Sequence, residues 1–193
     1  MFNEKSKATD IAVANVTSGR TSGEGLKGGG VFKVQCRDAA GNLKWEAESH
    51  NLVVNVGLQD MNTKYFTGSS YTAAWYLGLY GSGATNNPAA SDTMSSHAGW
   101  TEVTAYSQAT RPACSFGTAT TADPSVISNS ASPATYSING TTVVGGAFLT
   151  SNNTKGGTTG VLFSAADFAS PGDRSVVSGD TITVTYTFSL DAV

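Results

Sequence analysis

Apolar and polar positions alternate along this chain in short bursts, and the last burst is the clearest. In TITVTYTFSL, residues 181–190, Ile182, Val184, Tyr186, Phe188 and Leu190 alternate with threonines and Ser189. A period of two sends successive side chains to opposite faces, so the apolar five face a core and the hydroxyls face out. A slip of one residue would put every ring in water, which specifies the register. Gly179 and Asp180 supply the turn before this strand.

The same period appears in VFKVQC from Val31, with Phe32, Val34 and Cys36 on one face. RDAAGN follows with the turn residues Asp38, Gly41 and Asn42, and LKWEAES alternates again, with Leu43, Trp45 and Ala47 sharing a face. The two runs and their turn predict a hairpin. Leu52, Val53, Val54 and Val56 suit a strand. Leu58, Met61 and Tyr65 then fall at helical spacing and predict one short helix over residues 56–65. AAWYLGLYG at 73–81 reads as a strand buried on both faces. RPACSFGTAT, PATYSIN, VVGGAFLT and GVLFSA read as further short strands. Eight or nine strands, one helix and frequent turn signals predict an all-β chain: a single β-sandwich, jelly-roll or immunoglobulin-like, over 31–193.

Two stretches stand apart. Residues 1–30 carry seven charged residues and no sustained apolar pattern, and end in SGEGLKGGG. Such a segment does not bury enough surface to fold alone, so it is expected to be a flexible or extended N-terminal arm that orders on a neighbour. Its candidate contact residues are Phe2, Ile11, Val13, Val16, Arg20 and Leu26. Residues 81–99 form a long loop whose one charged residue is Asp92, a length that suggests contact with another subunit.

Composition narrows the partners. Charged residues make up 13 % of the chain and the net charge is −3, which offers no electrostatic basis for binding nucleic acid or an anionic membrane. No apolar run is long enough for a transmembrane helix, and MFNEKSKATD lacks the apolar core of a signal peptide, so synthesis in a cytosol is expected. Cys36 and Cys114 are expected to be separate buried thiols. The sequons at Asn15, Asn139 and Asn152 are what chance supplies in so Asn/Thr-rich a chain.

Candidate chemistry is sparse. His50 and His97 have no orienting partner implied by spacing, and no serine lies in a G-x-S-x-G elbow. Glu102 and Asp123 are the acids one would pair for glycoside hydrolysis. There is no C-x-x-C, H-x-x-x-H or acidic calcium loop, so no metal and no cofactor is expected. Trp75, Tyr76, Tyr80 and Trp100 could form a sugar platform, although large aromatics are more often core. Trp45, Trp75, Trp100, Tyr106, Tyr186 and Phe188 are expected to anchor the fold.

The order of segments carries a resemblance. GNLKWEAESHNLVVNVGLQDM, then WYLGLYGSG (75–83), a polar loop, WTEVTAYSQATRPACSF (100–116) and a terminal GDTITVTYTFSL (179–190) resemble structural proteins of tailed bacteriophages. Such chains have a W…N.VvN.GL run, a glyigL strand, a W-x-E-x-x-x-Y-x-R segment and a final v-x-x-G-D-t-l-x-v-x-y strand. Here Tyr106 and Arg111 are five apart where that spacing is short, so no Tyr–Arg contact carries over. The resemblance implies a non-enzymatic virion component on the capsid surface: a head decoration (cement) protein. Its partners would be the major capsid protein and neighbouring copies of itself. The alternative it leaves is a tail or head–tail accessory protein, fibre, adaptor or receptor-binding module, for which a glycan would be the ligand. Within this picture Glu102 and Arg111 are expected to form a pair or hydrogen-bonded caps near the sandwich edge, and Pro112 limits edge pairing.

Overall fold

The computed structural model of the 193-residue chain describes residues 25–68, 71, 73–81, 87–168 and 172–192. Five of the arm's candidate contacts, Phe2, Ile11, Val13, Val16 and Arg20, lie outside these residues. In chain order the elements are β1 (Leu26–Arg37), β2 (Leu43–His50), β3 (Leu52–Val53), α1 (Asn55–Phe66), β4 (Tyr76–Gly81), β5 (Thr101–Glu102), β6 (Ser125–Ser128), β7 (Ala134–Ser137), β8 (Thr142–Val144), β9 (Gly146–Thr150), β10 (Leu162–Asp167), β11 (Arg174–Val176) and β12 (Thr181–Ala192). The chain is all-β, with one short helix among the described residues.

Two five-stranded antiparallel sheets face each other. In the first, the order is β2-β1-β12-β6, and β7 also pairs β12; in the second it is β3-β10-β9-β4-β5. The alternation in β12 is realised: Ile182, Val184 and Tyr186 are fully buried against Phe32, Val34 and Cys36 of β1 and against Leu77, Leu79 and Leu149 of the other sheet. The β1–β2 hairpin turns as its residues dictate. The Asp38 carboxylate accepts from the Ala40 and Asn42 amides at 2.9 Å each, and Gly41 takes a left-handed φ of 86°. Asp180, in the turn before β12, accepts from Lys44 at 2.5 Å and from the Val177 amide at 2.9 Å.

β12 is long enough to take two short strands end to end on one edge, β7 at residues 181–184 and β6 at 187–190. Asn129 fills the gap between them. Its side-chain oxygen accepts from the Tyr186 amide at 2.7 Å, its Nδ2 donates to the Val184 carbonyl at 3.3 Å, and its own amide donates to the Tyr186 carbonyl at 3.2 Å. A fully buried asparagine thus continues the ladder where no strand runs.

β4, β9 and β10 are buried on both faces, as the continuous apolar run of 73–81 predicts. The outer cover is a second cluster of Val54, Met94, Trp100, Phe148, Leu162, Ala165 and Tyr80. Part of this cover comes from the 81–99 loop: Met94, in its described stretch 87–99, is buried over the second sheet, which is apolar on both sides and needs a lid.

Four expectations need correction. RPACSFGTAT is not a strand: it makes a single bridge, Ala113 to Tyr76, between hydrogen bonds from the Leu77 amide to the Pro112 carbonyl and from the Cys114 amide to the Trp75 carbonyl. Pro112 has no amide to extend that pairing. VVGGAFLT is two strands, β8 and β9, parted at Gly145 and placed in different sheets. β1 takes in Leu26–Gly30, five residues assigned above to the arm, because they pair with Phe188–Ala192 of β12. The helix forms where expected, but Leu58, Met61 and Tyr65 do not make its buried face. Leu58 and Tyr65 are exposed, and the contact with the sheet is made by Gly57. A Cβ at Gly57 would lie 2.4 Å from the Phe163 carbonyl oxygen, so a glycine lets the helix backbone settle on β10.

Candidate functional site

One end of the sandwich lacks its filling. The inward-facing positions of β1 run Cys36, Val34, Phe32 and then, by the two-residue period, Gly30, Gly28 and Leu26. The first three are fully buried; the next two have no side chain, and Leu26 is 67 % exposed. Rings from β12 lean over the glycines. A Cβ at Gly30 would be 2.6 Å from the Tyr186 hydroxyl, and one at Gly28 would be 3.3 Å from both Phe188 and Leu190. Beyond Tyr186 the apolar face of β12 is only half covered.

Between the sheets at this end lies a cavity of about 430 Å³. Ile127 and Phe188 line it from the first sheet, Leu149 and Phe163 from the second, and Trp75 and Met61 at its side. The rings form a chain: Trp75 to Phe163 at 5.4 Å and Phe163 to Phe188 at 5.5 Å. At its rim the Lys64 ammonium pairs with Asp60 at 2.9 Å and sits 4.1 Å from the Tyr71 ring centre. Next to it on α1, Tyr65 and Phe66 are 80 % and 77 % exposed. The Tyr186 hydroxyl accepts from Asn51 at 2.8 Å and from Ser164 at 3.2 Å. With its polar groups already engaged, the cavity offers apolar surface and ring faces.

The segment with the most varied side chains, residues 100–116, is a clamp. Arg111, 1 % exposed, donates from Nε and Nη2 to the two Glu102 carboxylate oxygens at 2.9 and 2.6 Å. Its remaining donors reach the carbonyls of Asn152 and Gly157 at 2.8 Å each. Glu102 in turn accepts from the Gly156 amide at 2.9 Å, and Lys155 donates back to the carbonyls of Tyr106 and Gln108. Two segments far apart in sequence are stapled together at β5, the edge strand of the second sheet. The expected pairing near an edge is what the structure holds, and it is buried more deeply than a solvated surface pair.

The other sequence-singled residues fall as follows. Trp100 and Tyr106 are buried, at 4 % and 0 %; Trp45, Trp75 and Phe188 are half-buried against the core. The four-residue sugar platform does not assemble, because Tyr80 and Trp100 lie inside the second cluster, 4.9 Å apart. Trp100 donates to Asp92 at 3.1 Å, so the loop's one charge holds the indole. His97 stacks on that indole at 3.8 Å and bonds to the Trp100 carbonyl. His50 ends β2 opposite Val31. Glu102 and Asp123 serve different sheets: Asp123 accepts from the Ala192 amide at the end of β12. Cys36 and Cys114 are free and buried. Sequence reasoning missed the cavity, whose lining comes from α1, the 71–75 stretch and both sheets.

Among the described residues no helix is long and apolar enough to cross a membrane, and no group of three or more His, Cys, Asp or Glu side chains could hold a metal ion. No protein-family model, no curated protein and no solved structure matches the chain.

Proposed function

We propose that this chain is a non-enzymatic structural protein of a tailed-phage virion, a head decoration protein that attaches to the assembled capsid through residues 1–24 and the end of the sandwich from which they leave. The observation that carries this reading is the uncovered apolar end: Tyr65 lines the cavity beside Phe188 and is exposed, as are its neighbour Phe66 and, at the start of β1, Leu26. Apolar surface of this kind marks an interaction site. The order of sequence motifs supplies the phage context. Attachment to the assembled shell alone would stabilise it by mass action, and the Arg111–Glu102 clamp gives a rigid body for that task.

The test is where the protein sits. An antibody raised against the full chain is applied to intact particles from the phage that encodes it, and copies per particle are counted by quantitative mass spectrometry. Label over the whole head, with hundreds of copies, supports the proposal. Label confined to the tail, with a dozen copies or fewer, replaces it with the tail-accessory role. Particles without label refute both.

A further inference from the structure

We propose that the cavity at the open end of the sandwich is a binding site for a small, uncharged aromatic molecule of two or three rings. Three observations lead there. The first is size. The cavity holds about 430 Å³, while an apolar cavity of roughly 150 Å³ accommodates benzene and sites for small organic ligands run from about 300 to 1,000 Å³. The second is the walls, which are largely rings. Trp75 meets Phe163 at an interplanar angle of 66° and Phe163 meets Phe188 at 78°, so each ring presents its edge to its neighbour's face. Aromatic pairs in this arrangement gain more than their buried area alone supplies, and a ligand ring set against the lining continues the series.

The third is charge. Among the described residues the lining holds one cation and one anion, Lys64 and Asp60, and they pair with each other at 2.9 Å. The Lys64 ammonium also lies 4.1 Å from the Tyr71 ring centre and 5.9 Å from that of Trp75. A ligand with a net charge would give up its hydration and meet a pair that is already neutral, whereas an uncharged ring has little hydration to lose. The same lining disfavours a stretch of polypeptide. The Tyr186 hydroxyl is held by Asn51 and Ser164, so inserted backbone amides and carbonyls would find few partners there. The proposal concerns the free chain, and its outcome is independent of where the protein sits on a particle.

The test uses the full chain and benzophenone, an uncharged two-ring ketone that also cross-links on irradiation. Calorimetric titration should give one site with a micromolar Kd, the affinity open to a well-buried ligand of this size. After photolysis, mass spectrometry should find the adduct on peptides carrying Met61, Trp75 or Phe188. No binding up to the solubility limit, or binding with adducts elsewhere or none, would overturn the site. The acid 4-benzoylbenzoate should bind about tenfold more weakly or worse, because its carboxylate must be desolvated. Equal or tighter binding of the acid would overturn the uncharged class and make Lys64 its counter-charge. Ile127→Trp on β6 and Met61→Trp on α1 each place bulk in the cavity from a different element, so a folding failure in one leaves the other to read. Each should weaken benzophenone by about tenfold or more with the thermal midpoint retained. Unchanged affinity in either folded variant would refute the proposal.

Discussion

The ring of Phe148 fills the space that a side chain at Gly78 would need. The two residues are cross-strand partners on β9 and β4, and a Cβ built on Gly78 would lie 2.0 Å from the ring. The neighbouring pair repeats the device, with the Tyr80 ring 2.1 Å from a Cβ at Gly146. Each glycine weakens its strand's own preference, and each ring covers the exposed backbone in return. Both rings belong to the outer cluster beneath Trp100. Gly78→Ala therefore cannot be accommodated by a small shift. We expect a loss of about 2–3 kcal/mol in urea unfolding, the range for overpacking a core. Gly78→Ala/Phe148→Leu should be more stable than the sum of the two single changes predicts, since the smaller side chain relieves the clash. Simple additivity would contradict the relationship.

These glycines also show what could be read in advance. The apolar run at Leu77 and Leu79 announced a strand covered on both sides, because water on either face would be costly. β12 announced its inward face through five alternating apolar residues. The β1–β2 hairpin announced its turn through Asp38 and Gly41. In each case neighbours in sequence decide the outcome. RPACSF misled because its alternation resembles a strand, while Pro112 and its lone bridge at Ala113 allow none. α1 misled because Leu58 and Tyr65 have helical spacing, yet a close approach at Gly57 decides which side faces β10. The role of Asn129 depends on two strands ending on one edge of β12, and the cavity depends on which side chains of α1 and of the two sheets meet at one end. Neither leaves a local pattern. The Arg111–Glu102 pairing was legible from the scarcity of charge; its grip on residues 152–157 was not, because those contacts are some forty residues away.

Arg111 and Glu102 should behave as a unit. Glu102→Gln leaves a guanidinium buried and short of its counter-charge, and we expect a loss of about 3–5 kcal/mol, the usual cost of breaking a buried pair from one side. Arg111→Lys keeps the charge but cannot span both carboxylate oxygens and two carbonyls, so it should also lose stability. The double change Arg111→Met/Glu102→Leu should cost less than the sum of the single changes. Amide hydrogen exchange at Gly156 gives an independent reading, since its amide donates to Glu102. Exchange there should accelerate in Glu102→Leu.

Asn129 is expected to matter out of proportion to its size. Asn129→Ala removes the acceptor for the Tyr186 amide and the donor to the Val184 carbonyl, both in the middle of the sandwich. A buried backbone group left without a partner costs about 1–3 kcal/mol, so a loss of roughly 2–4 kcal/mol should follow. Asn129→Asp keeps an acceptor for Tyr186 but sets a carboxylate against the Val184 carbonyl, and should recover little of that loss. Protection of the Tyr186 amide against hydrogen exchange is the specific check. If it persists in Asn129→Ala, the bridging role is wrong.

Stability should fall on the alkaline side. Burial pushes the Cys114 thiol up to about 12; burial, and then the nearby Asp180 carboxylate, raise Cys36 to about 11, both from 9.0. Burial likewise raises Tyr136 and Tyr186 well above 10.0. All four groups hold their protons in the folded chain and release them sooner in the unfolded one. As the pH passes 9, the unfolded state therefore binds fewer protons than the folded state, and the free energy of unfolding decreases with pH. Each such group contributes up to about 1.4 kcal/mol per pH unit until its own folded pKa is reached. Urea midpoints should hold steady near pH 8 and then drop between pH 9 and 12. In Cys114→Ala the drop between pH 9 and 12 should be shallower, because one buried proton-holding group is gone, while stability at pH 8 falls from lost packing. An identical slope in the variant would mean that the thiol does not stay protonated in the fold.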